Sequence, residues 1–351
     1  MRLTGTDEQS FKDLTPGKTS LGLINCRYKG SFGSTEGFFL GKGREILLFT
    51  IRRFGRLILT VLLISTIVFL VIRVIPGDPA LVIAGVDATK TDIEAIRTRL
   101  GTDRPILNQY AQWIWKVFHF DFGRSMISGQ PVTKLIFERF PLTLSLALLG
   151  LVISIIIAIP LGVISAVKRW SFWDYLGMVF SQIGMAIPSF WLGILLLLLL
   201  SVKVKLFPLF GSGTFKHLVL PSISLGVARA AVLLRMTRAS MLEELSKEYV
   251  ITAKSKGLTE RMVNYKHALK NALLPVITIA GIQLGYMLGG AIIIEQVFSL
   301  PGLGKLFLFG VYQRDFPLIQ GGVIFVAFVF SFINFTVDIL YSILNPKIRI
   351  G

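Results

Sequence analysis

Cysteine is all but missing: Cys26 is the only one in 351 residues. One thiol excludes an intrachain disulfide and, in practice, a cysteine-held metal or iron–sulfur cluster within the chain. Charge is also scarce. Only 16% of the residues are Asp, Glu, Lys or Arg, against about a quarter in soluble globular domains, while 53% are hydrophobic. That balance excludes an ordinary soluble globule and places the chain in a membrane. Histidine is thin as well: His119, His217 and His267 stand in three separate segments, without the paired spacing of a zinc hydrolase. No Ser or Cys nucleophile motif has a base beside it. An intramembrane protease would need a catalytic pair inside its spans, and the only carboxylate candidates, Glu295 and Asp338, lie near helix ends. A phosphate-binding loop is lacking too. Pro16-Gly17-Lys18-Thr19-Ser20 imitates the end of one, but Lys12 occupies the place of its first glycine and no strand precedes it.

Long apolar runs are what the chain does have. Segments near Leu57 to Ile75, Leu142 to Val167, Tyr175 to Ser201, Leu218 to Leu234, Leu273 to Ile294 and Gly321 to Leu344 are long enough to cross about 30 Å of hydrocarbon. Six spans put both termini on one side. Arg52, Arg53 and Arg56 precede the first span, Lys168 and Arg169 follow the second, Arg235 and Arg238 follow the fourth, and Lys347 and Arg349 close the chain. The positive-inside rule makes that shared side cytoplasmic. It also accounts for the net charge of +17 without nucleic acid: the densest basic run, Lys247 to Lys270, lacks the aromatic interleaving of a single-strand binder, whereas contact with anionic lipid headgroups fits it. The fourth span is the weakest, because Pro221 and Gly226 interrupt it and Arg229 sits within it.

The expected division is a mobile cytoplasmic tail over 1–45, a first transmembrane helix over 46–75, an external subdomain over 76–139, a five-helix core over 140–346 and a cytoplasmic end over 347–351. Gly, Ser, Thr and charge without an apolar period mark the tail. Ile75-Pro76-Gly77-Asp78-Pro79 breaks the first helix, and the external part predicts two helices, Thr91 to Leu100 and Pro105 through Val117. Trp113, Trp115 and Phe118 fit either a core or a set of interfacial anchors.

Glu248 to Pro275 is polar and basic between two apolar runs. Tyr249, Ala253 and Gly257 recur every four residues, so a helix puts them on one face where the two small residues admit close approach. Gly257 predicts the end of that helix, Thr259 caps a second one running to Asn271, and Leu274-Pro275 marks the next span. By spacing alone an ordinary basic loop fits equally well. The sequence nevertheless resembles the cytoplasmic loop through which permease subunits of ABC importers grip their ATPases, in the dipeptide, oligopeptide and nickel family. Two further stretches carry the same resemblance: Arg104 to Val132, with Asp121-Phe122-Gly123 and Ser125, and Gly289 to Gly322, with Pro301, Gly302, Gly304 and Arg314-Asp315. It runs from about Phe49 to Arg349, and the long tail departs from it.

The resemblance implies an all-α membrane protein of type I ABC importer permease architecture, with six transmembrane helices and a small external helical subdomain after the first. It implies a bacterial inner-membrane subunit that forms a path for di- or oligopeptides, with nickel or glutathione-type cargo as the alternative. Its partners would be a second homologous permease, two ATPase subunits that bind ATP and Mg, and an external solute-binding protein, with no cofactor in this chain. Candidate docking residues are Glu248, Tyr249, Ala253, Lys254, Gly257 and His267. Arg229 is the candidate for the path, either lining it and meeting a carboxylate of the cargo or snorkelling to the inside surface. An ion-coupled carrier is the alternative from another class; few central acids and only six spans disfavour it.

Overall fold

A computed structural model describes residues 35–74, 89–100 and 103–344. Contacts divide the chain into Met1–Arg44 and Glu45–Gly351, and the bundle is built from the second unit. Most of the expected tail, the Ile75-to-Pro79 break and the end of the chain from residue 345 lie outside the described residues. Those described are helical apart from connecting turns and one bridge between Arg124 and Pro131, as a lipid-spanning chain requires when every backbone polar group must be satisfied internally. The helices are α1 (Thr35–Val74), α2 (Lys90–Leu100), α3 (Ile106–Phe118), α4 (Val132–Val167), α5 (Phe172–Ala186), α6 (Ser189–Lys203), α7 (Lys216–Leu245), α8 (Glu248–Ser255), α9 (Glu260–Val297), α10 (Leu303–Tyr312) and α11 (Phe316–Leu344). Thus α1 begins inside the segment expected to lack order: extending a helix already nucleated by the apolar span costs far less than starting one. Likewise α4 begins at Val132, within the segment assigned to the external subdomain.

Five helices are long and apolar enough to span, and the sixth span is a bent pair: α5 and α6 meet at 98°. One continuous span from Tyr175 to Ser201 is therefore not what forms. Pro188 disfavours helical geometry in its predecessor, and Ile187 is extended, with φ −80° and ψ 122°. Pro221 and Gly226, by contrast, do not interrupt α7. Pro221 leaves α7 continuous, as transmembrane helices tolerate proline where packed neighbours and local adjustments satisfy the freed backbone groups. Gly226 serves packing instead: a Cβ there would lie 2.7 Å from the Gly150 carbonyl oxygen.

That contact belongs to the α4–α7 interface, the most extensive in the bundle. Small residues let the helices close on each other where lipid supplies no hydrophobic drive. A Cβ on Gly162 would sit 2.7 Å from Thr237 Cβ, and one on Gly184 of α5 would sit 2.9 Å from Ala231 Cβ. Antiparallel α9 and α11 use the same device, Gly281 facing Val337 and Gly285 facing Phe330.

At the end of the bundle away from the 248–259 loop, α3 packs on α1. Trp113 lies 5.3 Å from the Phe69 ring centroid, and the Tyr110 hydroxyl is 2.7 Å from Thr66 Oγ1. Trp113 is thus a packing residue, whereas Trp115 and Phe118 are 68% and 58% exposed. Two buried carboxylates organise this end. Glu295 accepts from Thr143 Oγ1 (2.6 Å) and from the backbone N–H groups of Gly304 (2.7 Å) and Lys305 (3.2 Å), so it caps α10. Asp315 accepts from Ser125 Oγ (2.5 Å) and the Met126 N–H (3.1 Å), and its Oδ1 lies 3.3 Å from the Leu318 N–H at the start of α11. Here the Ser125 and Asp315 of the two resembling stretches meet. Asp338 pairs with Arg53 near the opposite end.

Candidate functional site

The loop after α7 forms a platform with a buried floor. Val250, Val263 and Ala268 are fully buried with Val163 of α4, Met241 of α7 and Ala272 further along α9. Its outer surface carries apolar side chains with nothing over them: Ile251 is 57% exposed, Tyr265 53%, Met262 42% and Leu258 36%. Exposed Lys254, Lys256, Arg261 and Lys266 surround them. Between α8 and α9 the chain makes a complete Schellman turn. The Gly257 N–H donates to the Lys254 carbonyl (3.0 Å) and the Leu258 N–H to that of Ala253 (3.4 Å), with Gly257 at φ +77°. An added Cβ at Gly257 would meet nothing within 4 Å.

Tyr249, Ala253 and Gly257 do not form the single open face that their spacing suggests. Val250 points into the floor and draws Ala253, three residues on, partly in with it. Tyr249 sits at the edge as a brace: its hydroxyl donates to Glu244 (2.6 Å) and accepts from Asn271 Nδ2 (3.2 Å). Burial, then the bond to Glu244, hold that hydroxyl above its ordinary pKa, and the same carboxylate, 2.5 Å from Lys247 Nζ, raises the lysine. Glu248 and Lys254 are exposed, and His267 is half-buried in a π-helical turn over Val263–Ala268. Thr259 occupies the N-cap position without a side-chain bond. The helix it starts is not separate from the next span: α9 runs unbroken from Glu260 through Pro275 to Val297.

Arg229 projects from the middle of α7 towards α9. Its Nη1 lies 3.3 Å from Gln283 Oε1, and its guanidinium carbon lies 5.7 Å from the Tyr286 ring centroid. Tyr286 and Gly290 belong also to the wall of a wide-open apolar cavity of about 540 Å³ on the bundle surface.

Residues 158–350 match the family described as binding-protein-dependent transport system inner membrane component, and residues 46–147 match its N-terminal companion. The chain belongs to this family. Among its relatives, a protein of Brucella abortus (strain 2308) named as a peptide transport system permease is 42% identical over 307 residues, covering 85% of this chain and 98% of that one. The glutathione transport system permease protein GsiC of Escherichia coli (strain K12) is 42% identical over 304 residues, with 87% and 99% covered. A solved structure of the MetNI methionine ABC transporter in inward-facing conformations shares the fold, with a TM-score of 0.53 at 19% identity over 60% of this chain and 96% of that one. The protein is an inner-membrane permease subunit of an ABC importer.

Sequence reading missed two features of this permease. Asp174 is fully buried and receives both Arg238 Nε (2.6 Å) and Nη2 (2.9 Å), together with the Trp170 N–H (3.1 Å). The pair ties the α4–α5 turn to α7 just before the loop. Nothing local announces it, since 64 residues separate the partners. The Tyr249 brace was equally hidden, because its partners lie on two other helices.

Proposed function

We propose that this permease forms one half of a peptide path and is driven by separate ATPases docked on the 248–270 loop. The observation that carries the reading is the platform itself. Its floor is locked into the bundle, while Ile251, Leu258, Met262 and Tyr265 form an uncovered apolar surface with a basic rim, the pattern of a surface awaiting a protein partner. Two ATPases would bind ATP and Mg, a second homologous permease would complete the path, and an external solute-binding protein would deliver cargo. ATP-driven closure of the ATPases would move the loops and rock the two permeases between outward- and inward-open states. The loop and both termini are assigned to the cytoplasm. Lys168 and Arg169 at the end of α4, Arg238 beside the loop and Arg52, Arg53 and Arg56 at the Arg53–Asp338 pair all gather at the loop end of the bundle.

Peptide cargo rests on the similarity to the Brucella abortus protein, and glutathione stands beside it through GsiC. Bare nickel is disfavoured, because an unneutralised Arg229 in the span repels a cation. Placement is tested with a cysteine at Lys256 in a Cys26→Ser background. A membrane-impermeant thiol reagent should leave it unmodified in intact cells and modify it after permeabilisation. Equal labelling in intact cells would overturn the orientation, and failure of any ATPase to co-purify with the wild-type permease would overturn the docking reading.

A further inference from the structure

We infer that the guanidinium of Arg229 binds a carboxylate of the cargo, with Gln283 and Tyr286 holding it in place; this rests on the peptide-permease reading above. A cation inside an apolar span is costly and normally finds water or a partner. Arg53 and Arg238 are paired with Asp338 and Asp174. Arg229 has no carboxylate partner among the described residues. Of its five N–H donors, Nη1 is engaged by Gln283 at 3.3 Å, and the plane is steadied by the Tyr286 ring. Snorkelling to the loop end is opposed by both contacts, which lie on α9 beside the cavity.

That cavity supplies the other half of the inference. Gly285, Tyr286, Gly289, Gly290, Val326 and Phe330 are among its lining residues. The glycines keep the approach to the guanidinium open: a Cβ at Gly289 would meet nothing within 4 Å, and one at Gly290 would lie 3.9 Å from Arg229 Nη2. Gln283 answers one donor and no carboxylate among the described residues answers the rest, so a ligand that brings an anionic acceptor completes the site. A carboxylate is the matching group, since guanidinium binds it through two parallel charge-assisted hydrogen bonds. Every free peptide carries one at its C-terminus whatever its sequence. An otherwise apolar wall with a single cation therefore suits a path that holds the end of a peptide without reading its side chains.

The test uses the complete transporter in proteoliposomes, with cysteine-free partners and trialanine as the probe. R229Q, and R229C in the Cys26→Ser background, should each lower trialanine uptake about tenfold or more, the scale of a lost charged hydrogen bond, while uptake of trialanine amide changes less than twofold. Modifying R229C with a cationic methanethiosulfonate should restore most of the trialanine uptake, and an anionic one should not. Equal losses for acid and amide, equal rescue by both reagents, or no rescue by the cationic one would each overturn the carboxylate site. Wild-type transporter that binds its ATPases but carries no trialanine would instead overturn the peptide reading beneath it.

Discussion

Substituting Gly257 separates intermolecular from intramolecular effects. Gly257 holds φ +77° at the end of α8, and the space around its missing side chain is empty within the chain. Leucine there incurs left-handed strain of about 1–2 kcal/mol, while its Cβ meets nothing within 4 Å. The strain is present with and without a bound ATPase, so it lowers the permease's stability and cancels from the docking affinity. What remains is overpacking at the interface, about 1–3 kcal/mol, or roughly a 5- to 150-fold loss of affinity at 1.4 kcal/mol per tenfold. Gly257→Asn relaxes the strain, because asparagine tolerates the left-handed region, yet keeps bulk. If the loop docks, ATPase retention in pull-down should fall for both variants in order of side-chain size while thermal unfolding in detergent responds mainly to leucine. Ala253→Trp gives no such separation, since Ala253 packs partly against the buried cluster beneath the loop. Wild-type retention and uptake with Gly257→Leu would refute the reasoning.

Asp174→Ala should cost about 1.5–3 kcal/mol by removing the charged hydrogen bonds to partly exposed Arg238, and the double replacement with Leu at both positions should recover most of it; unchanged thermal unfolding of the single variant would show that the pair holds nothing. The Tyr249 hydroxyl and Lys247 ammonium both have folded pKa values above their unfolded ones. Their contribution is therefore complete below about pH 10 and is lost as pH rises through the folded values. Hydrogen-exchange protection of α8 should stay level from pH 6 to 9 and fall above that. A loss below pH 9 would mean the brace does not hold the helix.

What could be read from the sequence follows from how local each signal is. Spans announce themselves because each is a contiguous apolar run, and the Gly257 stop is legible because one residue type fits one conformation. The break at Pro188 was lost inside such a run: hydropathy over Tyr175 to Ser201 stays high while the backbone turns. Pro221 misled in the other direction, since a packed transmembrane helix tolerates proline: Pro160 and Pro275 also sit inside unbroken helices. Four-residue spacing found a face on α8 but not which way it turns, and Val250 decides that by packing on α4 and α7. Glu295 was visible as a carboxylate near a helix end and Asp315 as part of a resembling stretch. Their work was not: Glu295 caps a helix across a turn in which Gly302 leaves room for its carboxyl group, and Asp315 closes on Ser125, 190 residues away.

The continuity of α9 bears on how loop and path communicate. Glu260 starts directly after the Schellman turn, and Gln283 lies 23 residues further along the same helix, about 35 Å at 1.5 Å per residue. One element thus carries both part of the exposed loop platform and the wall beside Arg229. Displacing its loop end moves that wall unless the helix bends between them, and two sites invite bending: the wide π-helical turn over Val263–Ala268 and Pro275. Both are held. Val263 and Ala268 are fully buried in the cluster shared with α4 and α7, and Ala272 and Val276, flanking the proline, are 1% and 2% exposed against the same helices. With those contacts intact, a bend would have to open close-packed apolar clusters, whereas movement of α4, α7 and α9 together keeps those two clusters closed, so a displacement of the loop is expected to reach the cavity as movement of a three-helix body and not as a hinge within α9.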